Sequence, residues 1–363
     1  MALGHVALVL AFRIASVAGR MSARVKHLQK LPSEAAKAVG VNSYQGRVMG
    51  AHRGRQSTLR RRATVSGIGV HSGREVSLTL SPAEANTGVT FFRTNVEDGR
   101  DREIPANYRH VSATDLCTAV GVPGAAVATI EHLMAALSAL EIDNANVEID
   151  GPEVPVMDGS AGAFIDAVDH AGVTHLAARV RYLKVVKPVR IDIGQSYAEF
   201  VPHNGRRIEV EIDFDNALIG RQHFAADIGS ESFRRDIARA RTFGFLADVE
   251  QLWARGFALG ASLDNAVVIG EDRVINPEGL RFTDEFVRHK VLDAIGDLAL
   301  AGMPILGCYR SYRGGHKLNV KALEALIEDE SAWTTVEAPL RRETAHGGLS
   351  AGVGVAVHGP DAS

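Results

Sequence analysis

Two apolar helical segments constrain this chain more than any other feature. Residues 129–140 read TIEHLMAALSAL and residues 283–301 read TDEFVRHKVLDAIGDLALA. Both repeat apolar residues at helical spacing, and both carry a histidine near the start. A helix this apolar has to be covered on most of its surface. Strands precede each one, and a strand and a second helix follow. That order implies an α+β fold of two similar domains, each a sheet packed on helices. Aligning the histidines sets Ala136 opposite Asp293 and Leu140 opposite Asp297. A duplication whose second copy gained carboxylates would produce this pattern. Coincidence would account equally well for so short a match.

The ordered pattern begins near Thr58. Alternation and β-branched content predict strands at 74–82, 88–94 and 144–150. Thr129 is the expected N-cap of the first long helix, and a second helix is expected at 160–171. Residues 174–183 read as a connector. The pattern then restarts with strands at 184–193, 197–202 and 207–214, and helices at 230–240 and 245–255. A strand at 265–269 precedes the second long helix, with Thr283 as its cap and Gly302 as its stop. A strand at 305–312 and a helix at 317–328 complete the series. The resulting division is a leader at 1–56, domains at 57–178 and 179–345, and a flexible tail at 346–363.

The chain has 363 residues, a formal net charge of −3, 46% hydrophobic and 23% charged residues. Such a balance suits a globular protein of two domains and gives no general affinity for nucleic acid. Its two cysteines, Cys117 and Cys308, lie far apart and suggest neither a disulfide framework nor a zinc ribbon. A metal site would therefore use histidine and carboxylates. The apolar run Val6–Phe12 ends at Arg13, well short of the ~20 residues of a membrane span. Stable membrane insertion and an obligate protein partner are not expected. Between Met1 and Arg74 the sole acidic residue is Glu34. This basic leader suits a dispensable extension of a cytoplasmic bacterial protein, read from an upstream start. A mitochondrial presequence is the alternative. A chain beginning at Met49 is expected to keep every residue singled out below.

Four constellations carry chemistry. In RHKVLDAIGD, His289, Asp293 and Asp297 fall at i, i+4 and i+8, close to one face of a helix. A histidine and an aspartate one turn apart can hold one metal ion from a rigid scaffold. The same spacing also suits a His–Asp pair on a solvated surface. Glu131 and His132 are adjacent, so they point about 100° apart on a helix. If His132 binds metal, Glu131 is free to act as a base. An acidic first turn favoured by the helix dipole is the plainer explanation. His316 follows a Gly-Gly turn at a strand end, where loops present catalytic groups or merely expose them. In ARARTFGF, Thr242 offers a hydroxyl to an oxyanion and Phe243 a ring to a sugar; a capped helix end reads equally well. Together these suggest two histidines and an aspartate with an open coordination position. No HExxH motif occurs, so a protease of that type is not supported.

The segments VSGIGVHSG, ATIEHLMAAL, EVPVMDGSA, ARTFGF and FVRHKVLDAIGDL occur in this order. They resemble the UDP-3-O-acyl-N-acetylglucosamine deacetylases of lipid A biosynthesis across nearly all of residues 57–340. The resemblance implies a two-domain sandwich with the active site between the domains. It implies one zinc ion per chain on His132, His289 and Asp293, with Glu131 as general base. His316 matches a protonated histidine that stabilises the oxyanion and helps the amine leave, and Asp297 matches the carboxylate that orients it. Thr242 matches a hydroxyl near the reacting oxygen, and Phe243 a side chain at the sugar. Asp213 and Phe214 match uridine contacts, and Lys290 and Arg313 match pyrophosphate contacts. Ser196 stands where some members carry a further lysine. Segment 244–268 matches the insert that forms the acyl passage, lined here by Leu246, Val249, Ala258, Ser262, Ala266 and Val268.

The implied substrate is a UDP-linked acylated amino sugar, and the implied reaction releases acetate. A zinc deacetylase of another N-acetyl sugar and a non-catalytic nucleotide-sugar binder are the competing readings. A binder would have no use for Glu131 and His316 together. For the enzyme, an ionised Glu131 and a protonated His316 predict a bell-shaped pH profile.

Overall fold

The structure, a computed structural model, describes residues 54–94, 96 and 102–338. Most of the expected leader and the whole of the expected tail lie outside these residues. No helix among them is long and apolar enough to cross a membrane.

The first half holds a five-stranded sheet. Its strands run in the order Ala63–Ile68, Glu75–Pro82, Ala145–Ile149, Val89–Arg93 and Arg102–Pro105. All neighbours are antiparallel except Val89–Arg93 and Ala145–Ile149, which run parallel. Helices α1 (Glu131–Ala139) and α2 (Gly162–Ala171) belong to the same half. Every α1 residue except Ser138 is buried, as its all-round apolar sequence requires. The second half is built around strand Ile305–Tyr312. It pairs with Ser196–Val201 on one side and Arg206–Asp213 on the other, while its first residues pair with Arg181–Val185. Helices α3 (Ser230–Asp236), α4 (Val249–Ala254), α5 (Glu285–Leu298) and α6 (His316–Glu328) belong to this half. α6 packs on α5 and on strands Val189–Ile193 and Ser196–Val201. The two helical layers meet where α1 lies against α5, and apolar side chains of both sheets and all four long helices join one core.

The α1–α5 contact depends on one glycine. A β-carbon on Gly296 would lie 2.0 Å from the carbonyl oxygen of Glu131. Backbone cannot yield as a side-chain tip can. Gly296→Ala is therefore expected to cost at least the about 1–3 kcal/mol of an overpacked core. Denaturant unfolding reads this directly, and an unchanged midpoint would mean that α1 and α5 can separate freely.

Several expected boundaries move. Thr129 does not cap α1: its φ is +56°, and its hydroxyl donates to Glu153 Oε1 at 2.8 Å. The cap position falls on Ile130, which has no capping side chain. Thr283 likewise gives way to Asp284 at the start of α5. The Asp284 carboxylate accepts from Arg288 rather than capping the helix. Gly302 does end the second long helix, in the left-handed region, after a 3-10 turn. The expected strand 184–193 divides into Arg181–Val185 and Val189–Ile193 around Pro188, which has no N–H for a ladder. The expected connector 174–183 overlaps strand Val173–Arg179, which pairs with Arg55–Leu59. Among the described residues, a strand thus starts before residue 57. Helix 245–255 resolves into a 3-10 turn at Leu246–Asp248 and α4.

Candidate active site

Helices α1 and α5 bring the expected ligands together. The Nε2 atoms of His132 and His289 stand 3.6 and 3.3 Å from Asp293 Oδ1, and one ligand atom from each residue lies within 4.8 Å of the others. All three side chains are buried. His289 Nδ1 faces the Ala240 carbonyl at 3.1 Å. A carbonyl only accepts, so Nδ1 carries the proton and the Nε2 lone pair points at Asp293. Burial pushes the His289 pKa down to about 3, despite the Asp293 charge, so its imidazole is neutral. Burial alone would raise the Asp293 pKa. The charge that His289 gains in acid and the standing charge of Lys290 outweigh that and hold it well below the usual carboxylate range. Asp293 Oδ2 accepts from Lys290 Nζ at 3.0 Å. Its Oδ1 is buried without a hydrogen-bond partner. An unsatisfied buried carboxylate oxygen is costly, and a cation at the two imidazole lone pairs would satisfy it. The residues fit a metal ion.

The expected base and acid flank these ligands. Glu131 is 3% exposed, and its Oε2 accepts from the Thr118 N–H at 3.0 Å. Burial raises its pKa, opposed by the charges of His316 and His132. His316 is the first residue of α6 rather than a loop residue, and its Nδ1 lies 2.9 Å from Asp297 Oδ2. Burial would lower the His316 pKa, but Asp297 and Glu131 together raise it to about 9.

Around this centre, the Phe243 ring lies 6.3 Å from the His289 ring, 5.0 Å from Phe286 and 5.8 Å from Phe214. Lys290 Nζ is 5.6 Å from the Phe243 centroid. Thr242 is half-buried, and its N–H donates to Gly159 at 2.8 Å. ARTFGF is not a helix end: Phe243–Phe245 is a strand running parallel to Val267–Ile269. Asp213 ends its strand and accepts from the Tyr312 hydroxyl at 2.7 Å, while the exposed Arg313 donates to Gln195 at 3.2 Å. In the insert, Leu246 and Ser262 are exposed, Val249, Ala258 and Val268 half-buried, and Ala266 buried.

Sequence reasoning missed the residues that hold these parts. Arg241 is 2% exposed and ion-pairs with Glu285 and Glu278, anchoring the segment that carries the Ala240 carbonyl, Thr242 and Phe243. Glu153 accepts from the backbone of His71 and Ser72 and from the Thr129 hydroxyl. The loop it fixes supports the insert, because Leu259 and Gly260 donate to the carbonyls of His71 and Val70. Thr118 and Asn319 both contact Asp297. Arg241 and Glu153 lie within the segments ARTFGF and EVPVMDGSA, which was the available signal, whereas Thr118 and Asn319 lie in none of the five.

The chain matches known proteins over most of its length. The UDP-3-O-acyl N-acetylglycosamine deacetylase family matches residues 56–328. Proteins named UDP-3-O-acyl-N-acetylglucosamine deacetylase from Brucella ovis, Brucella canis and Brucella melitensis are each 54% identical over 284 residues. The matched region covers 78% of this chain and 99% of each relative. A match of this extent runs through both sheets and every helix around the ligands, and the chain belongs to the UDP-3-O-acyl-N-acetylglucosamine deacetylase family.

Proposed function

We propose that this chain is a zinc-dependent amidase of lipid A biosynthesis that removes the N-acetyl group of UDP-3-O-acyl-N-acetylglucosamine, yielding acetate and a free amine. The observation that carries the reading is the unpartnered Asp293 Oδ1 facing two imidazole nitrogens, with Glu131 and His316 beside it. His132, His289 and Asp293 would hold one zinc ion, which when bound polarises a carbonyl and lowers the pKa of water. Glu131 takes the proton of the attacking water. Protonated His316 stabilises the developing oxyanion and passes its proton to the leaving amine, while Asp297 holds its other nitrogen. The Thr242 hydroxyl adds a donor to the oxyanion. Phe243 covers the sugar. Lys290 has three donors and gives one to Asp293, so others remain for the pyrophosphate, which Arg313 also contacts. Asp213 and Phe214 receive the uracil. The insert, through Leu246, Val249, Ala258, Ser262, Ala266 and Val268, receives the acyl chain. In this reading the first domain takes in strand Arg55–Leu59 and runs to residue 178, the second spans residues 179–345, and the enzyme works in the bacterial cytoplasm.

The test is metal analysis after dialysis of the purified chain, followed by acetate release from UDP-N-acetylglucosamine with and without the 3-O-acyl group. About one zinc per chain and release that depends on the acyl group support the reading. Equal rates on both compounds would assign the activity to another N-acetyl sugar, and no release would leave a binding protein.

The His316–Asp297 pair sets a pH dependence. Activity that needs protonated His316 is present below its raised pKa and lost as pH rises through about 9. Asp297→Asn removes the neighbouring charge and should move this basic limb to lower pH. A kcat/KM profile whose basic limb stays in place would separate His316 from the acid role.

A further inference from the structure

Asp297 is held from three sides. Its Oδ1 accepts the Thr118 hydroxyl at 2.6 Å, and its Oδ2 accepts the Asn319 amide at 2.8 Å beside His316 Nδ1 at 2.9 Å. Asp297 and Thr118 are both fully buried, and Asn319 is 3% exposed. An ionised carboxylate only accepts, so the Asn319 nitrogen must face it. The amide oxygen then faces the buried Tyr309 hydroxyl, which donates to it at 2.6 Å. The orientation of Asn319 is thereby fixed from behind.

Thr118 makes further contacts. Its N–H donates to Glu131 Oε2, and its carbonyl accepts from the N–H of Ile130 at the start of α1. One residue of the first half therefore engages the Glu131 carboxylate, the end of the helix that carries it, and a carboxylate 179 residues away on α5. Without the Thr118 hydroxyl and the Asn319 amide, the Asp297 carboxylate would be free to rotate about its Cβ–Cγ bond. The His316 ring would turn with it.

We propose that Thr118 and Asn319 are positioning residues that fix the angle of His316 through Asp297, with Thr118 also linking that pair to Glu131. This inference rests on the function proposed above. Neither residue touches the reacting atoms. Both act on the chemical step and leave substrate affinity alone.

Thr118→Val exchanges the hydroxyl for a methyl of the same shape and keeps the backbone N–H. In the metal-loaded full chain it should lower kcat about tenfold, the effect of losing one hydrogen bond to a charged group. KM and metal content should stay at parental values. Thr118→Ser should recover most of the rate, and Asn319→Leu should reproduce the loss. On an Asp297→Ala background, Thr118→Val should cost nothing more, because the group it acts through is gone. Parental kcat in Thr118→Val, or the same tenfold loss on the Asp297→Ala background, would overturn the proposal. Should Thr118→Val not fold, Asn319→Leu is judged by the same two criteria. A parent that releases no acetate would remove the functional reading and this inference together. An active parent with silent substitutions would remove this inference alone.

Discussion

Glu131→Ala is expected to keep its metal and lose turnover by about a hundred- to ten-thousandfold, the usual contribution of a general base. The two effects separate because Glu131 is not among the three residues whose ligand atoms converge. Its carboxylate is held on the Thr118 N–H, and its pKa responds to His316 and His132. Its charge is felt by both histidines, as the proposed base role requires. The substitution also withdraws a negative charge that helps keep His316 protonated. Metal content and acetate release are read on the same preparation. A metal-loaded Ala variant working at the parental rate would remove Glu131 from the chemistry.

Asp293→Ala should fail differently, losing the metal and stability together. The carboxylate is the anionic member of the ligand set and the partner of Lys290. Breaking a fully buried ion pair costs about 3–5 kcal/mol. The Lys290 side chain keeps 22% of its surface exposed, so the penalty should fall below that range. Emission analysis after dialysis should find little bound metal, and the thermal midpoint should drop. A variant that retains one equivalent of metal would show that His132 and His289 suffice, and that Asp293 mainly balances Lys290.

Part of the candidate metal site was legible because helical periodicity turns sequence spacing into geometry. His289 and Asp293 share a face of any helix that forms there, and Glu131 and His132 necessarily diverge. Strand Ile305–Tyr312 was legible at both ends, since its apolar run is bounded by Pro304 and the Gly-Gly turn. Thr118 and Asn319 were not, because their meaning lies in Asp297, which only the tertiary fold brings to them. Gly296 was hidden for a related reason. Inside a helix a glycine reads as a loss of propensity, and here it is a contact surface for another backbone. The capping error at Thr129 has a tertiary cause. Local rules assign a hydroxyl to the nearest helix end, but at Thr129 the buried Glu153 competes for it and wins. Strand Arg55–Leu59 was cut because basic composition continues from the leader into it, while its pairing partner lies more than 110 residues further along the chain.

His132 comes from α1, and its two partners in the candidate metal site, His289 and Asp293, come from α5. An ion held there joins His132 to His289, 157 positions further along the chain. Such an ion is a removable cross-link as well as a reagent. Closing a loop of that length would restrict the unfolded chain much as a disulfide does, by about 5 kcal/mol in the chain-entropy view, if the unfolded state kept the link. The unfolded state does not keep it, because its ligands are scattered. Binding is therefore coupled to folding, and the metal stabilises the native state in proportion to the logarithm of its free concentration. A chain in a metal-poor compartment would lose its reactivity and part of the tie between its halves in the same event.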